Sequence, residues 1–520
     1  MPYGLVLRAN LLLSSVLVSS SRRISLVSDT PRISLCMIVK NEAANLRPCL
    51  QSVAPLFDEI IVVDTGSSDN TREIAAELGA QVHSFEWCDD FSAARNAALA
   101  HATGEWIFWL DADDRLDAEN RARLNDLFER VRSQPLSASR RVYIMTTVSL
   151  SRHSSEPATL ISHARLFQSH SELRWTGRVH EQIVPALEKF GDELIYSDIR
   201  IEHVGYLDPA FCQRKANRDL RLLRMDYATD PDNAVTLFLL GTTYLRTGQT
   251  HQALAHLLKS LQLAPSYGDW VRRLYALIVD ALIRLGRREE AYGMATEALH
   301  KFPLDVELTT RRAELLCDFN DLGSAERILR ELLQSPRSRH LVHGASTYHD
   351  GREARALLGR IYRETQNFES AEQVFQELIA EQPAWIPPWV NLGYTYLMQQ
   401  RWGDAEYVAK QIEKCDTGEP YALTLRAEVK AARGDLATAK QLVEQAIARA
   451  PQLAWARIVL SDILLKEGTD REACIAVQRD ILRLNPGNVH AEKTLETLTN
   501  PPAAQPTSNW PLGWSITVNP

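Results

Sequence analysis

Asp111, Asp113 and Asp114 close the run GEWIFWLDADD, residues 104–114. The bulky, mostly apolar residues before them suit a buried strand better than a helix. Carboxylates at the carboxyl end of such a strand lie on the rim where open α/β sheets bind ligands. In extended backbone Asp111 and Asp113 point to opposite sides, but a bend after Leu110 brings both to one ligand. Hard oxygen donors of this kind suit Mg²⁺ or Mn²⁺, and those ions suit a diphosphate. The alternative is a strand-end turn in which an Asp caps the following helix. Two acids upstream weigh against it. Glu42 follows the apolar run ISLCMIV at 33–39, and Asp64 follows EIIVV at 59–63. Three strand ends in succession therefore carry an acid, which marks a binding rim.

The elements that must hold these acids alternate strand and helix. After the strand at 33–39, Leu46, Leu50 and Val53 share one helix face. The second strand, at 59–63, runs into the turn-rich loop DTGSSDNT, where residues from Ser67 to Asn70 can cap a helix at 72–78. Gly79 precedes a third strand at 80–85. DFSAARN then opens a helix that ends near His101, and Gly104 starts the acidic strand. Such alternation implies a parallel sheet. Further strands are expected at 141–150 and 164–167. No glycine-rich phosphate loop of the ATP-binding or dinucleotide type is present.

Composition narrows the classes. A chain of 520 residues exceeds what one hydrophobic core serves, so at least two domains are expected. The net charge of −8 and the lack of a basic run argue against nucleic-acid binding. Seven cysteines, scattered and odd in number, form no metal-ligand or CxxC spacing; reduced thiols in a reducing, cytoplasmic compartment are the simplest expectation. The apolar run LLLSSVLVSS near the N-terminus is too short and polar to span a membrane. With Arg8 before it, the run has the look of a signal peptide. The absence of acids before Asp29 equally suits an organellar transit peptide, and a disordered extension or an upstream start is the plainest reading.

The ordered set MIVKNEAANLRPCLQSV, EIIVVDTGSSDNT and FSAARNAALAHATGEWIFWLDADD resembles family 2 of the glycosyltransferases. The resemblance covers roughly residues 33–205. It implies the GT-A fold, a Rossmann-like α/β domain with a mostly parallel sheet that binds a nucleotide sugar. It also implies roles for individual residues. Asp64 would contact a uracil-type base and Glu42 the ribose side. Asp113 would bind Mg²⁺ or Mn²⁺ directly, with Asp111 shared between ribose and metal. Arg95 would stabilise the pyrophosphate or order the acids, unless it only pairs with Asp89 or Asp90. Asp114 reads as a helix cap or a supporting residue. The later segment WTGRVHE, 175–181, resembles an acceptor-side motif of a subgroup that often carries helical repeats. His180 would there complete the metal site, and Glu181 would be the general base that deprotonates an acceptor hydroxyl. Neighbours in a strand diverge, so both roles require a backbone bend. His203 is a weaker candidate for the same metal.

From Asp208 a helical pattern takes over. Ala253, Ala291, Ala325, Ala371, Ala405, Ala439 and Ala473 mark successive units, the last four 34 residues apart. That is the tetratricopeptide period, and Gly241, Tyr244 and Pro265, or Gly359, Tyr362 and Pro383, fit its other marks. Small residues let helices cross closely, aromatics fill gaps between hairpins, and proline stops the second helix. About seven repeats would build a superhelix with a concave face. A long insertion at 335–350 reads as a loop.

The expected organisation is an extension at 1–31, the α/β domain at 32–207, an all-α repeat superhelix at 208–499 and a disordered tail at 500–520. Two functional classes follow. One is an inverting glycosyltransferase using a UDP-type sugar, whose repeats recruit a protein, peptide or glycan acceptor or a partner protein. The other is a repeat scaffold with a disabled nucleotide-sugar domain. Clustered acids at Asp64, Asp111, Asp113 and Glu181 favour the first, because their mutual repulsion serves no purpose in a scaffold.

Overall fold

The computed structural model describes residues 31–134, 140–149, 159–205, 209–265, 269–335, 351–468, 471–484 and 486–500. The expectations for the N-terminal extension, most of the 335–350 loop and the tail beyond Asn500 lie outside these residues. No helix among them is long and apolar enough to cross a membrane.

The N-terminal half runs β1 (Ile33–Val39), α1 (Ala43–Val53), β2 (Glu59–Asp64), α2 (Thr71–Glu77), β3 (Gln81–Ser84), α3 (Phe91–His101), β4 (Trp106–Trp109), β5 (Asp114–Arg115), α4 (Ala118–Ser133), β6 (Arg141–Ser149), β7 (Thr159–Gln168), α5 (Val184–Lys189) and β8 (Glu193–His203). The eight strands form one sheet in the order β3-β2-β1-β4-β7-β6-β8-β5. β3, β2, β1 and β4 are mutually parallel, whereas β7 joins β4 and β6 antiparallel and β8 lies parallel to β6. Both faces of the parallel half are covered, which explains its unbroken apolar strands. Leu35, Met37 and Phe108 pack with Leu46, Leu50 and Phe128 of α1 and α4 on one side. Cys36, Ile61 and Trp109 pack with Ala98 of α3 and Leu187 of α5 on the other.

Two expectations need correction here. The second arm of the sheet is longer than its apolar pattern suggests: β7 starts at Thr159, and β8 carries too many polar residues to show period-two alternation. Asp114 is no helix cap. Asp117 caps α4, accepting the Asn120 N–H at 2.7 Å, while Asp114 is fully buried on β5.

The helical half runs α6 (Pro209–Thr229), α7 (Ala234–Arg246), α8 (Thr250–Leu263), α9 (Asp269–Arg284), α10 (Arg288–Lys301), α11 (Val306–Asp318), α12 (Leu322–Gln334), α13 (Arg352–Glu364), α14 (Phe368–Glu381), α15 (Ile386–Met398), α16 (Trp402–Ile412), α17 (Glu419–Ala432), α18 (Leu436–Arg449), α19 (Ala454–Glu467), α20 (Arg471–Leu484) and α21 (Val489–Thr499). From α7 to α20 these pack as consecutive antiparallel hairpins, the geometry of a tetratricopeptide superhelix. Six of the marker alanines, Ala253 through Ala439, are completely buried where the hairpin helices cross. First helices of neighbouring hairpins also carry a polar ladder. Arg311 on α11 meets Asp280 on α9 at 2.9 Å, Arg363 on α13 meets Asn391 on α15 at 2.9 Å, and Glu428 on α17 accepts from Tyr394 on α15 and from Trp455 on α19.

Candidate active site

Each acid reaches the rim from the end of its own strand. Asp64 ends β2, is 2 % exposed, and accepts the Gly66 and Ser67 N–H groups on Oδ1 at 3.1 and 3.0 Å. Its Oδ2 is buried with no hydrogen-bond partner. The loop after it is strapped to the end of β1: Asn41, in the left-handed region at φ 56°, accepts the Ser68 N–H at 2.8 Å, and the Glu42 N–H donates to Thr71 Oγ1 at 2.8 Å. Glu42 accepts from Asn45 Nδ2 at 2.9 Å. Burial pushes its carboxyl above the usual range, and the nearby Asp111 charge adds to that.

Asp111, Asp113 and Asp114 fold into a tight turn. The Asp111 N–H donates to Asp114 Oδ2 at 3.0 Å, and the Asp114 N–H donates to Asp111 O at 3.1 Å. Asp114 pairs in register with His203 across β5 and β8, and its carboxylate meets His203 Nδ1 at 3.0 Å and Arg165 Nη1 at 2.9 Å. His203 Nδ1 also lies 3.4 Å from Asp113 Oδ1. Asp111, Asp113, Asp114 and His203 each offer a ligand atom within 4.8 Å of the others. Burial and the surrounding acids raise the Asp113 carboxyl to about 6, against the opposing pull of His203. Burial also disfavours ionising Asp111, but Arg95, Arg165 and His203 outweigh it and hold that carboxyl low. A hard divalent cation fits this set, since it would relieve the crowding of acids that raises the Asp113 carboxyl.

Arg95, on α3, joins the acids to the WTGRVHE segment. Its Nη2 contacts Asp111 at 2.9 Å and its Nε contacts Glu181 at 2.5 Å, 86 positions along the chain. The guanidinium is 4.3 Å from the Trp109 ring centroid and 5.0 Å from that of Trp175. The alternative expectation, a pair with Asp89 or Asp90, is not what forms: Asp89 holds Arg221, and Asp90 caps α3. Asn96, the next residue, fixes Trp175 through both its backbone groups at 2.8 and 3.0 Å. The ARN and WTGRVHE motifs thus form one unit.

His180 is a further correction. The bend that the sequence required does occur, with His180 at φ 54°, but it turns the imidazole away from the acids. Its Nε2 faces Asp219 of α6 at 4.0 Å, and His203 takes the place expected of it in the acidic cluster. The sequence also left Arg165 and Gly205 unmarked. Arg165 is 1 % exposed on β7, and an arginine in the strand read at 164–167 requires a carboxylate partner, which is the signal that could have marked it. At Gly205 a Cβ would lie 2.0 Å from Asp113 Oδ2 and 3.2 Å from His203 Nε2, so only glycine leaves room there.

Residues 34–183 match the sequence profile of Glycosyl transferase family 2, and residues 234–267, 354–384 and 420–445 match tetratricopeptide repeat profiles. A TPR repeat-containing protein of Synechococcus elongatus is 32 % identical over 308 residues, spanning 56 % of this chain and 73 % of that protein. The chain belongs to the family 2 glycosyltransferases that carry tetratricopeptide repeats. Glycosyltransferase SunS of Bacillus phage SPbeta is another relative of this glycosyltransferase, 27 % identical over 320 residues, 60 % of this chain and 73 % of that one. Among solved structures, a tetratricopeptide repeat protein from Parabacteroides merdae aligns at 16 % identity with a TM-score of 0.39, covering 51 % of this chain and 99 % of that one.

Proposed function

We propose that this glycosyltransferase transfers a sugar from a UDP-type donor to an acceptor hydroxyl with inversion, and that its repeats recruit the acceptor or a partner that delivers it. The observation that carries this reading is the Arg95 bridge, which holds Asp111 on the donor side within one guanidinium of Glu181 on the acceptor side. Asp64, with Oδ2 buried and unpartnered, suits an imide N–H of a uracil-type base. Glu42 neighbours Asp111 electrostatically and suits the ribose hydroxyls. Asp111, Asp113, Asp114 and His203 would hold Mg²⁺ or Mn²⁺, which when bound neutralises the diphosphate leaving group.

In this reading Glu181 takes the proton from the acceptor hydroxyl as that oxygen forms its bond to the anomeric carbon. The bond from that carbon to the diphosphate oxygen breaks on the opposite face, so the configuration inverts. Arg95 orients Glu181 and carries positive charge beside the diphosphate. The peptide-binding habit of tetratricopeptide superhelices favours a protein or peptide acceptor over a small glycan.

The test begins with a panel of UDP- and GDP-sugars with Mn²⁺, read by thermal shift and donor hydrolysis. Glu181→Gln is expected to keep UDP–Mn²⁺ binding and lose about 10²–10⁴-fold in turnover. Full turnover in that variant moves the base elsewhere, and a product with retained anomeric configuration by NMR rejects the inverting scheme.

A further inference from the structure

Glu181 sits on a pinched loop. Thr176 and Gln182 close it with two backbone hydrogen bonds of 3.0 and 2.9 Å. Between them Gly177 and His180 adopt left-handed backbone, at φ 95° and 54°. For a histidine that conformation costs about 1 kcal/mol, and surrounding structure must hold it. Most of that structure comes from the helical region rather than the sheet.

Three consecutive loop residues lie against α6 or its packing partners. Asp226 accepts the Arg178 backbone N–H at 3.3 Å on one oxygen and its Nε at 3.1 Å on the other. Val179 is 5 % exposed in an apolar cluster with Leu220 and Leu223 of α6 and Leu240 of α7. His180 Nε2 lies 4.0 Å from Asp219, whose buried side chain also meets Arg218 at 2.8 Å and Arg246 at 3.7 Å. A second seam reinforces the first. Arg221 holds both oxygens of Asp89 at 2.7 Å, the Asp89 carbonyl accepts from Arg178 at 3.4 Å, and the Phe91 N–H donates to Arg178 O at 2.9 Å. Phe91 begins α3, the helix that carries Arg95. Helix α6 therefore grips both motifs that meet at the Arg95–Glu181 pair.

We propose that α6 is a positioning element of the active site, in which Asp226 and Asp219 act through Arg178 and His180 to keep Glu181 aimed at Arg95 and the acceptor. The inference rests on the reading of Glu181 as the base. A helix that merely linked two domains would need an apolar seam. It would not need a buried and a half-buried carboxylate set against Arg178 and His180 of one loop, because burying such groups costs stability.

The test uses the full-length protein and whichever of UDP-glucose, UDP-galactose and UDP-N-acetylglucosamine it hydrolyses fastest. Asp226→Ala and Asp219→Asn are expected to lower kcat about 10- to 100-fold, as loss of supporting contacts does. KM for the donor and Mn²⁺-dependent stabilisation by UDP stay at wild-type values, since Asp111, Asp113 and His203 are untouched. Asp226→Glu, which keeps the carboxylate, recovers part of the loss. Wild-type kcat in both variants well below their Tm, alongside an inactive Glu181→Gln, overturns the positioning role and leaves the base intact. A parallel loss of UDP–Mn²⁺ stabilisation also overturns it, because the contacts then serve the whole domain. A fully active Glu181→Gln overturns the base assignment and, with it, this inference.

Discussion

At Asp113 a proton and the proposed divalent cation would compete for one carboxylate. Its carboxyl, raised to about 6 by burial and neighbouring acids, holds its proton more tightly in the folded chain than in the unfolded one, where it titrates near 4. Such a group contributes stability below pH 4 and loses it as pH rises through about 6. In chelator, wild type is therefore expected to lose on the order of 2 kcal/mol relative to Asp113→Asn between pH 4 and 7. Mn²⁺ bound at this carboxylate would have the opposite dependence, because it must displace that proton. Its thermal shift is expected to be large at pH 7.5, to fade below pH 6, and to vanish in Asp113→Asn at any pH. A shift that persists at pH 5 or in the variant places the ion elsewhere. Asp111, Asp113 and Asp64 were legible in the sequence because each ends an apolar strand, and position on a parallel sheet fixes where a strand end points. His180 and His203 could not be ranked that way. Their relative placement depends on one left-handed residue and on the pairing of β8 with β5, and neither leaves a mark in local pattern.

The elements show why the parallel half of the sheet was easier to read than the rest. β1, β2 and β4 are covered on both faces, so their apolar runs are continuous; β8 alternates irregularly and was invisible until its partners were known. Yet β8 delivers His203 and, just beyond it, Gly205 against the acids. Gly205→Ala is consequently expected to push the Asp113 carboxylate out of place, given the 2.0 Å approach of the added carbon. Because carbon–oxygen contact requires well over 3 Å, Asp113 must rotate rather than compress. The expected result is a fall in Mn²⁺ affinity of about 10- to 100-fold with secondary structure unchanged by circular dichroism. Wild-type affinity would mean that Asp113 does not bind the ion in this rotamer. The repeat helices were legible for another reason: close crossing demands a small residue at a fixed place, and the buried alanines from Ala253 to Ala439 are that demand repeated.

At the scale of the whole molecule the superhelix meets itself. Arg288 of α10 reaches Glu492 of α21 at 3.2 Å and the carbonyl of Gly487, so the hairpins between them form a closed turn. The inner face of such a turn suits an extended segment better than a globular partner. The place to separate catalysis from recruitment also follows from packing. A cut just after α6 would strip Leu240, Tyr244, Leu257 and Leu274 from the cluster that holds Val179, and with it the Glu181 loop. A cut after α10, giving residues 31–304, keeps most of that cluster and removes the rest of the turn. This fragment, once shown to be folded by a cooperative melt, is expected to hydrolyse the donor with a kcat near that of the whole chain. Transfer to a peptide acceptor should instead lose most of its kcat/KM, with the loss in KM, because recruitment is a binding contribution that chemistry at Glu181 does not share. Unchanged kcat/KM for a peptide acceptor rejects recruitment by α11–α21. Loss of hydrolysis in a folded fragment would show instead that the closed turn supports the catalytic domain, so that the two halves work as one body.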